Sequence, residues 1–312
     1  MAKTTIKNIE DYIVPLNMNG LEGRMLHMPA PAAHSDREIL FIYGHHSSLE
    51  RWWGLAQVLN RYGAVTMPDL PGFGGMDSLY KIGKSPTLDN MADYLASFVK
   101  WRYKRKQVSI LGLSFGFLIA TRMLQRYPEL VKKVDFLVSA VGFVHHEDFA
   151  FSRTRTFFYR WGPVIFSTKP TAIMFRYVAI NSLFLRVFYG HTFNAKKKFE
   201  GADAEQARLL MDMEVILWHN NDVRTVMCTY IEMFTVDNCK KPIDLPVWHV
   251  SAIADQYFRP QVVEQHMRVT FADFHEAKNK SLRHAPSVIA TMKESEVLFP
   301  PKVRQAFLAK KS

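Results

Sequence analysis

From Glu38 to Phe143 short apolar runs alternate with stretches of helical spacing, and that alternation leaves few folds open. "EILFIYG", "AVTMPD", "QVSILGLS" and "VDFLVSAVGF" read as buried strands. Between them lie "LERWWGLAQVLNRYG", with Trp52, Leu55 and Leu59 on one helical face, "SPTLDNMADYLASFVKWRY", with Thr87 as N-cap, and "FGFLIATRMLQRYPEL". Strands alternating with helices imply a mostly parallel sheet covered on both faces. Before them "YIVPLN" and "GRMLHM" suggest an opening hairpin.

The alternation lapses after residue 144. From about His145 to Thr235 the chain reads as helices only, and then "LPVWHVSA" resumes as a strand. "PQVVEQHMRV" follows as a helix, "TFADF" as a short strand and "HAPSVIATMKESEVLF" as a closing helix. The expected organisation is therefore an α/β core in two pieces, residues 1–144 and 237–312, interrupted by a helical cap over 145–236.

At 48% hydrophobic and 22% charged residues the 312-residue chain has ordinary globular composition, which argues against disorder. The N-terminal stretch mixes lysines with acids and reads as neither signal nor anchor, and no run reaches about 18 apolar residues. A soluble, cytosolic protein is expected. Cys228 and Cys239 are too few for a disulfide framework.

The chemistry concentrates at Gly112-Leu113-Ser114-Phe115-Gly116, a G-x-S-x-G between a strand and a helix. Glycines on both sides suit a serine in a cramped turn, although a capping serine between two glycines has the same letters. A serine hydroxyl is a weak nucleophile and needs a base with a group to orient it. Asp255, just past the strand "VWHVSA", can supply the acid; its other reading is an N-cap for the helix after Arg259. His284, ahead of Ala-Pro and a helix, is preferred as base over His275. An oxyanion hole needs two backbone N–H groups, which Phe115 and His45, the latter after the turn at Gly44, are placed to provide. The pairs His45–His46 and His145–His146 are not expected to bind a metal, having no matching Cys, Asp or Glu at ligand spacing.

These residues together resemble the α/β-hydrolase superfamily over nearly the whole chain. "PDLPGFGGMD" is similar to its D-x-P-G-x-G loop, and "YGHHSSLERWW" lies where the family has His-Gly before the oxyanion residue. The resemblance implies Ser114 as nucleophile, His284 as base, Asp255 as acid, His45 and Phe115 as amide donors, Gly44, Gly112 and Gly116 as supporting glycines, and no cofactor. Tyr43 departs from the histidine usual before the first glycine. A serine at the elbow disfavours the aspartate-dependent dehalogenases and epoxide hydrolases of the superfamily. A carboxylesterase for hydrophobic acyl esters is the leading expectation. Carbon–carbon hydrolase, lactonase, acyltransferase and a non-catalytic binder on the same fold are its alternatives.

The cap is the best clue to substrate. It is rich in aromatic residues, among which Phe157, Trp161 and Phe184 are candidates for a pocket wall. Between Phe151 and Glu200 nine Lys or Arg face a single acid, in a chain of net charge +11. Solvated cations on a packed cap account for this pattern, and so does contact with an anionic lipid surface. "KWRYKRK" reads as a solvated helix end, and no nucleic-acid partner is expected.

Overall fold

The computed structural model describes residues 8–178, 204–253, 255–279 and 291–309. An eight-stranded sheet runs in the order β1-β2-β4-β3-β5-β6-β7-β8. Strands β1 (Ile13–Met18) and β2 (Leu21–Met28) form the antiparallel hairpin, turned at Asn19 and Gly20, both at positive φ. β2 meets β4 antiparallel, and every later pairing is parallel.

The three strands β3 (Glu38–Ile42), β4 (Ala64–Pro68) and β5 (Val108–Leu113) are buried at every residue. Continuous burial is what a parallel strand needs when helices cover both faces. Those helices are α1 (Trp53–Asn60), α2 (Leu88–Arg102) and α3 (Phe115–Arg126), and the hydroxyl of Thr87 does cap α2, accepting from the Asn90 N–H at 3.2 Å. At the end of α2, Lys100 pairs with Glu129 at 2.8 Å and Lys106 with Glu38 at 2.5 Å, so two cations of that basic run have acidic partners.

After β6 (Val134–Ala140) the described chain holds only helices until β7 (Ile243–Ala252). They are α4 (Arg153–Phe166), α5 (Lys169–Val178), α6 (Ala204–Asn220) and α7 (Val223–Met233). Ala172, Val223 and Met227 make a small core of their own, packed with Phe166, Phe175 and Trp218. α7 nevertheless docks firmly on the sheet domain. The Asp222 N–H donates to Gly72 O at 2.8 Å, Asn221 Oδ1 accepts from Gly74 N–H at 2.8 Å, and Glu232 accepts from Leu88 N–H at 2.7 Å.

The C-terminal end departs from the sequence reading. β8 runs from Phe271 to Asn279, longer than "TFADF", and its buried residues Phe271, Phe274, Ala277 and Asn279 do not follow a simple alternation. α8 (Pro260–Thr270) precedes it. Of the expected closing helix, residues 284–290 lie outside the described residues; the remainder holds α9, one turn over Met292–Ser295, and a 3-10 turn over Glu296–Leu298, and a further helix, α10, runs from Pro301 to Ala309. The Pro300-Pro301 pair separates them, since proline cannot continue a helix but suits the first position of the next.

Candidate active site

Three strand ends define the site. Leu113, last in β5, pairs with Ala140 at the end of β6, and Ala140 pairs with Val250 near the end of β7. Ser114 follows β5 directly and Asp255 lies three residues beyond β7, so both reach the carboxyl edge of the parallel strands. Ligands bind at that edge in open α/β sheets.

Ser114 adopts φ 48° and ψ −115°, a conformation costing a non-glycine residue on the order of 1–3 kcal/mol. The surroundings enforce it. Ser114 N–H donates to Ala140 O at 3.0 Å, and Ser114 O accepts from Phe117 and Leu118 N–H at 3.1 and 3.3 Å. A Cβ on Gly112 would stand 2.5 Å from Phe117 Cα, and one on Gly116 2.3 Å from Ile42 O. The two glycines are therefore required by close backbone approach, and the serine is no helix cap, since its side chain makes no capping bond. Phe115 opens α3, where first-turn amides have no intrahelical acceptor and the helix dipole favours negative charge.

The β3 loop passes against the serine, because a Cβ on Gly44 would lie 3.5 Å from Ser114 Cβ. His45 follows, and its side chain has a role the sequence did not reveal. Its Nε2–H lies 2.9 Å from Thr229 Oγ1 and 3.3 Å from Val226 O, both on α7. Thr229 donates its own hydroxyl proton to Thr225 O at 2.7 Å, so the histidine is the donor in this pair. The ring packs on Tyr230, Phe115 and Phe73 at centroid distances of 4.4, 5.4 and 5.5 Å. Burial, with the charge of His46 adding to it, lowers the His45 pKa to about 3, which keeps the ring neutral. His46, at φ 50°, stacks on Trp218 at 4.4 Å. Both histidines thus tie the loop after β3 to the helical segment.

Tyr43, where the family has histidine, is fully buried. Its hydroxyl donates to Asp69 Oδ1 at 2.8 Å and accepts from Leu70 N–H at 2.8 Å. It holds the "PDLPGFGG" loop in place. Asp69 also pairs with Arg24 at 3.2 Å, so its role is structural.

Asp255 is not the N-cap of α8. That position belongs to Arg259, whose side chain makes no cap bond. Asp255 Oδ1 instead accepts from Tyr257 N–H at 2.8 Å and Phe258 N–H at 3.2 Å, which fixes the carboxylate at the turn. Behind it a small recess is lined by Val141, Gly142, His249, Ser251 and Phe258. His249 lies 2.9 Å from Ser139 Oγ, and burial lowers its pKa to about 4 against the opposing pull of Asp255 and Glu264. Val141, β-branched at φ 44°, is strained beside this recess, and no sequence signal marks it.

His284 and Phe184 lie outside the described residues. His275 sits inside β8, paired with Asp273 at 2.8 Å and stacked on Trp248. Phe157 and Trp161 lie on α4 at 58% and 54% exposure, while Phe151 and Tyr159 turn inward against the core. Among the described residues one group could hold a metal: His145, Glu147 and His266. The sequence reading dismissed His145–His146, but Glu147 follows directly and His266 arrives from α8.

Comparison with known proteins agrees with this fold. A family model described as alpha/beta hydrolase fold matches residues 38–182. Protein ABHD8 from Homo sapiens and Bos taurus is 32% identical over 103 residues, a match spanning 33% of this chain and 23% of the relative. Among solved structures, a hydrolase from Pseudomonas aeruginosa aligns over 95% of this chain and 98% of its own, with TM-score 0.65 and 13% identity. A membrane phospholipase A described as a bacterial virulence factor aligns over 95% and 85%, with TM-score 0.63 and 16% identity. The N-acyl homoserine lactonase AidH aligns over 96% and 97%, with TM-score 0.63 and 15% identity.

Proposed function

This chain is an α/β-hydrolase-fold protein, and from that premise we propose that it is a cofactor-independent serine hydrolase acting on hydrophobic acyl esters. The single observation behind the proposal is the strained Ser114 backbone between β5 and α3, packed so that neither flanking glycine tolerates a side chain. Strain of this kind is retained where exposing a reactive group requires it.

In the proposed reaction Ser114 Oγ attacks the ester carbonyl while His284 takes its proton and Asp255 holds the imidazole. The amides of Phe115 and His45 receive the developing oxyanion. The alcohol leaves with the proton from His284, and water, activated by the same base, hydrolyses the acyl-enzyme. Labelling by a fluorophosphonate probe, lost in Ser114→Ala, tests this; an unlabelled wild-type protein would favour a binder. Labelling without turnover of chromogenic esters of any chain length would move the substrate toward a lactone, a carbon–carbon bond or an acyl acceptor.

The helical segment over 145–236 is proposed as the cap of this site, placed peripherally on an anionic lipid surface from the cytosolic side. Exposed apolar side chains favour this second reading. Phe157, Phe158, Trp161, Ile165, Met174 and Tyr177 on α4 and α5 are 54–80% exposed, and Arg153, Arg160, Lys169 and Arg176 are exposed among them. Aromatic residues interleaved with cations match an acidic membrane interface. No described helix is long and apolar enough to cross a membrane. Sedimentation with anionic but not neutral vesicles at low salt is the expected result; equal sedimentation with both would exclude the anionic preference.

A further inference from the structure

Where the helical segment leaves β6, the side chains of His145, Glu147 and His266 bring one ligand atom each to within 4.8 Å of one another. The two imidazole rings lie 4.3 Å apart, and Glu147 Oε2 is 3.9 Å from His145 Nδ1. Two imidazoles with one carboxylate are a donor set for a borderline divalent cation such as Zn2+, which leaves a fourth position for water. Reaching the roughly 3.3–3.6 Å edge of a tetrahedron with bonds of about 2.0–2.2 Å requires the ligand atoms to close from within 4.8 Å. Glu147, 64% exposed, has room to swing.

A second observation points the same way. His266 Nδ1 lies 2.5 Å from Asp148 Oδ1, and the Asp148 side chain is fully buried. Its other oxygen accepts from Val144 and His145 N–H at 3.0 Å each. A carboxylate pinned by two amides and holding one ring nitrogen fixes the tautomer that presents Nε2 as a ligand. Metal-binding histidines are oriented this way. Asp237 Oδ1, 3.8 Å from His145 Nε2, adds negative charge on the opposite side.

We propose that His145, Glu147 and His266 form a binding site for a divalent transition metal, with Zn2+ the best match, oriented by Asp148. Its place in the fold gives it a stapling role. His145 is bridged to Asp237 where the helical segment returns to the core, and Glu147 O accepts from the Arg259 guanidinium at 2.5 Å. Arg259 N–H donates to Asp148 O at 2.9 Å and Ala150 N–H to Tyr257 O at 2.7 Å. Ligation would therefore join the start of the helical segment, itself bridged to Asp237 at the segment's end, to α8.

The test is Zn2+ titration of tag-free, chelator-treated protein by calorimetry and competition with a chromophoric chelator. Co2+ substitution adds an absorption spectrum that reports coordination. One equivalent per chain is expected, with a rise in Tm on binding. Glu147→Gln, at an exposed position that cannot unfold the chain, should weaken binding at least tenfold, as should His266→Ala. Asp148→Asn should weaken it roughly 10- to 100-fold through loss of orientation. His219→Ala, on α6, should leave it unchanged. Absence of stoichiometric uptake, or uptake unaltered by Glu147→Gln and His266→Ala, would overturn the proposal. Fluorophosphonate labelling of Ser114 reports the hydrolase reading independently of either result.

Discussion

The edge around Ser114 and the outer faces of α4 and α5 are built by opposite rules. At the edge each residue type is set by contacts of a few ångströms: Gly116 against a backbone carbonyl, Gly44 against the serine, His45 wedged among three rings. On α4 and α5 large apolar side chains face outward, and Tyr177 is 80% exposed. Packing at the edge leaves almost no freedom of substitution, whereas the helical faces are free of that constraint and open to selection for what they touch. The difference separates residues that packing fixes from residues that packing leaves open.

The largest way to sharpen this contrast is Ser114→Ala. Hydrolysis should fall by about 10³-fold or more with thermal stability retained, measured as kcat/KM on an activated ester beside a melting curve. Gly116→Ala comes next and attacks the scaffold itself. A Cβ 2.3 Å from Ile42 O should cost roughly 3 kcal/mol or more in urea unfolding. A loss below about 0.5 kcal/mol would break the claim that packing dictates this edge.

His45→Ala removes the brace between the oxyanion loop and α7. A roughly 10- to 100-fold fall in kcat with little change in KM is expected, since the loop's amide acts on the transition state. Acid sensitivity reads the same brace. In the unfolded chain histidine titrates near 6.5, but His45 and His249 are held neutral in the fold down to about 3 and 4. Below pH 6.5 the unfolded state therefore binds more protons, and stability falls as pH drops through that window. The slope is roughly 1.4 kcal/mol per pH unit for each fully protonating group. His249→Asn should flatten the fall of Tm between pH 6 and 4; an unchanged slope would show that other groups control it.

The smallest effect in stability is predicted on the helical faces. Phe157→Ser with Trp161→Ser should change unfolding free energy by no more than about 0.5 kcal/mol each while reducing sedimentation with anionic vesicles. A large loss of stability would mean these rings are packed, and the contrast between the two regions would collapse.

Much of the site was legible early because its requirements are local. Ser114 needs two glycines in a row of five, a strand before and a helix after, and all of that lies within a dozen residues. Asp255 was legible for a similar reason, lying just past an apolar strand, though its actual partners are the amides of its own turn and not those of a helix. The cluster at His145 is not legible in the sequence because His266 comes from a helix 121 positions away, and only folding brings the rings to 4.3 Å. The side-chain role of His45 was missed likewise, for its acceptors are Val226 and Thr229.

By itself the sequence determined the alternation of strands and helices, the hairpin, the helices described between β6 and β7, and the strand-to-helix turn at Ser114. Periodicity and local sterics act over a few residues and need no partner. Tertiary structure alone decided that the loop after β3 leans on α7, that Val141 is strained beside a buried His249, and that Asp148 holds His266. Those outcomes depend on which distant surfaces meet, and on the burial that keeps an imidazole neutral once they do.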